Sequence, residues 1–552
     1  MEKSLRVCII SREYPPDTGF GGIATFANHL GHGLVGLGHH VTVITLAKGK
    51  AKSYTEDDIQ VHRVELYFGE NTLNLVGLAM PYSKYIISTS AALWQKFIEL
   101  HAKQPFDVVD APELLAEGFY PAITKLAPLV IRLYTPHSKF IAEALHNVTT
   151  SFDHQFVAIV ERIAMIYADA ITSPSKDLAQ FVANDLCIPY ERIKLIPNPI
   201  DTDFCSPHGN QSIAETEILK VLFVGRLEAR KGIYYLIEAW KKVATAIPKA
   251  HLYVIGDDTK TAKGQTSVLE EIKKYIHKEK LENTVTFIDR IPLTELPAYY
   301  RSADICVVPS LYDNSPYTCL EAMSCGRAVV GTSSGGTAEY IVHGESGIIV
   351  PPKDSASLAK AMISLLLDKK ERLRLGNNAR SRVLVNFQRR EIARLTAQLY
   401  KQAIESFMSR KSSLHTNSLY TRGAEEVLTD MEYYASSFNE MLHQFLFRWS
   451  YNYRIITWYR KLRYHPKLYI AKAFLRFINS ATFWLTDEKR QANSMYRSLE
   501  NMVREKENKP MLPRRSAIES SIAENGFDRS AYTESVASQS LDLSRDYVKE
   551  RS

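Results

Sequence analysis

The chain of 552 residues has 45% apolar and 10% aromatic side chains, with Gly and Pro at 25 and 23. That composition excludes a disordered or fibrous protein and leaves room for roughly three to four domains at about 150 residues each. Its 68 basic and 61 acidic side chains leave a formal charge of +7, too small for this length to be a whole-protein nucleic-acid footprint, so nucleic acid is not an expected partner.

In chain order, 6–11 (RVCIIS) and 41–45 (VTVIT) read as buried parallel strands, and between them Ile23, Phe26, Ala27, Leu30 and Leu34 mark one face of a helix. Further strands are expected at 59–66, 106–110, 129–134, 170–173 and 193–197, with helical periodicity between several of them. A polar stretch, 205–215, interrupts this rhythm. It restarts with strands at 219–224 (LKVLFV), 251–255, 284–288, 305–309, 328–331 and 347–350. The expected fold class is therefore α/β, with two Rossmann-like parallel-sheet domains facing across a cleft, and the loops at the carboxyl ends of the strands carry the chemistry.

After residue 410 only Gly423 and Gly526 remain of the 25 glycines, and the strand rhythm stops. The segment 441–480 has eight Lys or Arg, among them Arg448, Arg454 and Lys461, no Asp or Glu, and interleaved rings such as Trp449, Tyr453 and Trp458. Such a segment suits the headgroup layer of an anionic membrane, and it equally suits helices packed on the rest of the protein. Stacking on nucleic acid is a third, weaker option. Beyond about residue 505 the text is Ser- and Glu-rich and reads as disordered. The expected units are 1–205, 206–410, a helical extension at 411–504 and a tail at 505–552.

Six cysteines, Cys8, Cys187, Cys205, Cys306, Cys319 and Cys325, contain no C-x-x-C pair and read as buried thiols of a reducing compartment. The four apolar residues before Arg12 and Glu13 are too few for a signal-peptide core. No apolar run reaches the ~18 residues of a bilayer span. A cytoplasmic protein is expected, with peripheral attachment at the inner membrane face left open.

The chemistry-bearing text begins with PSLYDNSPYTCLEAMSCG, 309–326. A strand ends there, a loop presents Asp313, Ser315 is placed to cap and Pro316 to open a helix, and Glu321 lies on its second turn. Both carboxylates are placed to accept hydrogen bonds from vicinal hydroxyls; a plain capped helix with a solvated Glu also fits. GRLEARKG, 225–232, puts Arg226 and Lys231 at another strand exit before a helix, where cations stabilise a diphosphate or simply form a charged surface. GFGG, 19–22, brings backbone close to an anion through Gly21 and Gly22, and Gly335-Gly336 follows a later strand; either glycine pair also fits a tight turn. His137 follows the strand at 129–134 and is otherwise an ordinary solvated or structural histidine. No metal-ligand spacing, P-loop or G-x-S-x-G is present, so no metal site is expected.

These elements together resemble the retaining glycosyltransferases of family four, which have the two-domain GT-B fold. The matching text runs from GFGGIATFANHL through ITSPSKDL, IPNPIDTDFCSP and FVGRLEARKG to PSLYDNSPYTCLEAMSCGRAVVGTSSGGTAEYIVHGESGIIVPP, about residues 5–405. The resemblance implies an acceptor-side first domain and a nucleotide-sugar-binding second one. It implies that Arg226 and Lys231 hold the donor diphosphate, Glu321 the ribose and Asp313 the sugar hydroxyls, with Gly335 and Gly336 alongside the donor. Gly21 and Gly22 would approach the phosphates from the other side and His137 would face the sugar. Asp313, His137, Lys231 and Arg226 form the implied catalytic set; Asp313 stands where the family usually has Glu.

The implied substrates are a UDP- or GDP-sugar and a glycan or glycolipid, with no separate cofactor required. A nucleotide-sugar epimerase of the same architecture, or a non-catalytic sugar-nucleotide-binding protein acting through its extension, are the alternatives.

Overall fold

The structure, a computed structural model, describes residues 3–18, 21–66, 81–142, 151–214, 217–262 and 266–413. The expectations for the extension beyond residue 413, for the tail at 505–552 and for 441–480 lie outside the described residues, as do Gly19 and Phe20.

The first lobe is built on eight strands: β1 (Arg6–Ile10), β2 (His40–Leu46), β3 (Lys52–Glu56), β4 (Ile59–Val64), β5 (Val108–Pro112), β6 (Leu129–Arg132), β7 (Ala170–Ser173) and β8 (Ile193–Leu195). Their order is β3-β4-β2-β1-β5-β6-β7-β8. β5 and β6 are buried at every residue and β1 at all but Arg6, which is why they read as continuous apolar runs: helices cover both faces of the sheet. The amphipathic helix Gly22–Val35 buries Ile23, Phe26, Ala27, Leu30 and Leu34, as its periodicity predicts.

One strand departs from the expected parallel pattern. β3 pairs antiparallel with β4 through a turn at Asp57 and Asp58, both at positive φ (46° and 63°). Positive φ at both central residues matches the twist of a tight hairpin. Its polar, half-exposed text KSYTE carries no apolar run to announce it.

The second lobe has six strands: β9 (Leu219–Val224), β10 (Ala250–Ile255), β11 (Val285–Ile288), β12 (Ile305–Val308), β13 (Ala328–Thr332) and β14 (Ile348–Val350), ordered β11-β10-β9-β12-β13-β14 and parallel throughout. In each sheet the winding reverses beside the first strand, between β1 and β5 and between β9 and β12. An open parallel sheet leaves a crevice at such a reversal, just beyond the strands' carboxyl ends.

The final helix, Arg389–Ser413, returns to the first lobe. Its Tyr400 hydroxyl donates to Asp110 of β5 at 2.7 Å, and Ile392, Ala393 and Ala397 join the first lobe's core. The expected second unit, 206–410, thus ends in a helix that packs on the first. Five of the six cysteines are buried as expected, whereas Cys187, at the left-handed C-cap of helix Lys176–Leu186, is exposed. Among the described residues no helix is long and apolar enough to cross a membrane.

Candidate active site

A cavity of about 360 Å³ opens where the two winding reversals face each other. From the first lobe it is lined by Gly21 and Gly22 at the exit of β1, by Leu114 after β5, and by Tyr134 and Thr135 after β6. From the second come Arg226, Arg230 and Lys231 after β9, with Asp313, Asn314 and Glu321 after β12.

The loop after β9 is shaped by glycine. Gly232 sits at φ 72°, and a Cβ there would lie 1.8 Å from the carbonyl oxygen of Pro309. Only a residue without a side chain lets the GRLEARKG turn press against the strand end that carries Asp313. That contact brings Lys231 into an ion pair with Asp313, while Arg230 Nη1 stands 3.8 Å from the same carboxylate and donates to the Tyr312 carbonyl at 3.0 Å. Behind them the buried Glu228 accepts from Arg230 at 2.7 Å and from Arg226 at 3.3 Å. Three cations thus face two carboxylates, a surplus of one positive charge. Arg226, 35% exposed, is the most open of the three.

The two carboxylates on the β12 loop are tuned in opposite directions. Burial raises the pKa of Asp313, but Lys231 and then Arg230 outweigh it and hold the group below the usual carboxylate range. Asp313 therefore stays ionised as an acceptor. Glu321, on the helix Tyr317–Ser324, is pushed up to about 6 by burial, with the Tyr300 hydroxyl, donating at 2.7 Å, pulling the other way. It is a half-buried carboxylate in the cavity wall, partnered by Tyr300, which displaces the solvated-Glu reading.

Gly21 and Gly22 are open for a different reason. A Cβ at either would meet protein atoms no nearer than 3.8 Å and 3.7 Å. The protein has room for a methyl at both; it is an occupant of the cavity that would need the space.

Residues 20–204 match the family described as Glycosyltransferase Family 4, and residues 210–382 match Glycosyl transferases group 1. The chain is a family-four glycosyltransferase of the GT-B fold.

An uncharacterized glycosyltransferase of Methanocaldococcus jannaschii is 26% identical over 411 residues, covering 73% of this chain and 99% of that one. Among solved structures, the sucrose-phosphate synthase of Thermosynechococcus elongatus superposes with a TM-score of 0.58 at 22% identity, over 72% of this chain and 99% of its own. The Anabaena protein HepE, solved with UDP and glucose, gives 0.54 at 17% identity over 72% and 99%.

Within the glycosyltransferase, Arg226, Lys231, Asp313, Glu321, Gly21 and Gly22 converge on one cavity. Three expected residues lie outside its lining. Gly335 and Gly336 back the loop instead: a Cβ at Gly335 would come 2.2 Å from the Asp313 carbonyl and one at Gly336 1.9 Å from that of Asn314. His137 is buried, its backbone N–H donating to Glu161 at 2.6 Å and its Nδ1 3.2 Å from the same carboxylate, while its neighbours Thr135 and Phe140 line the cavity.

Ser315 does not cap the following helix. Its hydroxyl is hydrogen-bonded to that of Tyr340, and the helix begins after Pro316 without a side-chain cap. Arg230 and Glu228 were legible only as part of a charged run, since nothing in R-L-E-A-R-K says which charges turn inward. Among the described residues no group of three or more His, Cys, Asp or Glu is arranged to hold a metal ion.

Proposed function

We propose that this glycosyltransferase moves a hexose from a UDP- or GDP-sugar to a glycan or lipid-linked acceptor, with retention at the anomeric carbon. The observation that carries the reading is one wall of fixed cations and ionisable acceptors opposite a wall of bare glycine backbone. HepE, of the same fold, is solved with UDP and glucose.

In this reading the electron pair of the breaking anomeric C–O bond goes to the diphosphate, whose growing charge meets Arg226 and Lys231. Preorganised cations favour that charge more in the transition state than in the ground state. The acceptor hydroxyl bonds to the anomeric carbon on the face the diphosphate leaves, and its proton passes to a departing phosphate oxygen. Asp313 accepts hydrogen bonds from sugar hydroxyls, sharing Lys231 with the diphosphate, and Glu321 accepts from the ribose. The basic-aromatic segment 441–480 suits an anionic membrane at the cytoplasmic face, where a lipid-linked acceptor resides.

The test is a panel of nucleotide sugars, each followed for hydrolysis without acceptor and for transfer with glycan and glycolipid acceptors. Turnover of one donor with an axial-to-axial or equatorial-to-equatorial product is expected, and Lys231→Ala should lower it about a hundred-fold to a thousand-fold. Isomerised donor, binding without turnover, or near-normal activity in Lys231→Ala overturns the reading. Flotation of the full chain on anionic liposomes, against neutral ones, tests the membrane clause; equal absence from both refutes it.

A further inference from the structure

The loop that carries Asp313 belongs to the second lobe, yet the residues on either side of Asp313 are held from the first. Three adjacent strand exits of the first sheet each supply a partner to this loop, at Tyr312, Asn314 and Ser315. After β6, the Tyr134 carbonyl accepts from Asn314 Nδ2, and Lys139, on the helix His137–Ala142, lies 4.5 Å over the Tyr312 ring. After β7, the buried Ser175 hydroxyl donates to Asn314 Oδ1 at 2.7 Å. After β8, Asn198 Nδ2 donates to the Ser315 carbonyl at 3.3 Å. Glu339 adds a contact from behind, accepting from the backbone N–H of Lys176 at 2.7 Å.

Asn314 is the centre of this set. It is 7% exposed, and its amide uses its acceptor and its donor on two different loops of the opposite lobe. No other side chain of that size except its own carboxylate analogue has the shape, and the carboxylate lacks the donor. A buried amide with both ends satisfied fixes position far better than apolar contact, because any slip leaves a polar group unpaired.

We infer that Asn314 is a positioning residue for glycosyl transfer, and that with Ser175 and Tyr134 it sets the distance between the Asp313 carboxylate and the acceptor-side wall. Tyr134 itself lines the cavity beside Thr135, so the same bond that orders the donor-side loop orders that wall. The inference rests on the proposed transfer reaction taking place in this cavity. A displacement of about 1 Å at such a distance lowers rate without abolishing ground-state binding.

The experiment compares Asn314→Ala, Ser175→Ala, the double variant and Ser175→Thr in the full chain, on the donor and acceptor that the wild type turns over. Each alanine variant should lower kcat for transfer about ten-fold while the donor KM stays within about three-fold, and the double variant should be no slower than the slower single. Ser175→Thr, which keeps the hydroxyl, should restore kcat. Hydrogen exchange should rise in the peptides around 134 and 314 in both alanine variants, a readout independent of activity. A folded Asn314→Ala with wild-type kcat and exchange, or single losses that multiply in the double variant, overturns the inference and leaves the transfer reading intact. A wild type that isomerises or merely binds its donor removes both.

Discussion

Asp313 and Glu321 share one loop-helix element, yet the protein sets them apart by environment. Asp313 lies among cations and is held ionised; Glu321, half-buried in the cavity wall with the Tyr300 hydroxyl as its partner, is pushed up to about 6 by burial. A folded-state acid raised above its unfolded value contributes stability that is full below the unfolded value of 4.5 and is lost as pH rises through about 6. Above pH 7 the ionised Glu321 is therefore a cost to the fold of about 2 kcal/mol. Replacing it by Gln keeps an acceptor for Tyr300 and removes the charge. Glu321→Gln should raise the thermal midpoint at pH 7.5 and leave it little changed at pH 4; under the proposed role of Glu321 it should also weaken donor binding, because a neutral amide is a poorer acceptor for ribose hydroxyls. A midpoint that does not rise at pH 7.5 would show that the carboxylate is better solvated than its surroundings indicate. Cys187 offers a second reading at this scale. Burial pushes the Cys8 and Cys306 thiols above their ordinary range, and Cys187 is the exposed one of the six. Native protein should present one rapidly titrating thiol to a disulfide reagent, and Cys187→Ser should abolish it; persistence of the fast phase would place another cysteine at the surface.

At the scale of elements, what was readable and what was not divide on a physical line. Strands buried on both faces announce themselves, and β7 and β9 run over the residues their β-branched text predicts. The edge strand β3 is polar and half-exposed, so it leaves no trace of that kind. Motif glycines were legible as glycines but not by purpose. Gly21 and Gly22 face a cavity, whereas Gly335 and Gly336 let a turn pack against the carbonyls of Asp313 and Asn314. The inward charges Glu228 and Arg230 depend on which side of a turn faces the cleft, and a run of alternating charge carries no such information. Gly232 tests the point directly. Its φ of 72° and the Pro309 oxygen 1.8 Å from a Cβ leave no conformation that spares both. Gly232→Ala should cost about 1–3 kcal/mol of stability and shift Lys231 off Asp313, so that activity falls further than the midpoint alone accounts for. Activity lost only in proportion to unfolded protein would detach the turn from the ion pair.

For the whole molecule the question is what fixes one lobe against the other. The chain crosses between them once near Asn198–Ile200 and again at Gln388, where Ile200 and Gln388 form an isolated parallel bridge. The final helix then lies on helix Gly22–Val35, whose Gly33 leaves no gap: a Cβ there would lie 2.6 Å from the Arg389 carbonyl oxygen and 2.8 Å from the Ala393 Cβ. Further along, Tyr400 donates to Asp110, which also accepts from Arg132 at 3.2 Å, and the Arg132 guanidinium lies 4.2 Å over the Phe26 ring. The returning helix is thus seated by a close backbone approach at one end and a buried polar network at the other, and that network meets the cavity wall where the Phe26 ring packs edge-on against Tyr134 at 5.9 Å. Two substitutions separate these contributions. Tyr400→Phe removes one hydrogen bond but leaves Asp110 its arginine, so a loss of about 1 kcal/mol is expected with transfer kinetics unchanged. Gly33→Ala cannot be absorbed by a side-chain rotation, because the obstacle is backbone; the helix must move, and the start of that helix is the second crossing point. It should cost about 1–3 kcal/mol and also lower kcat for transfer, although Gly33 touches neither donor nor acceptor. Thermal unfolding and donor turnover measured on the same preparations decide the matter: a Gly33→Ala protein that loses stability yet transfers sugar at the wild-type rate would mean that the seat of the returning helix stabilises the fold without setting the alignment of the lobes.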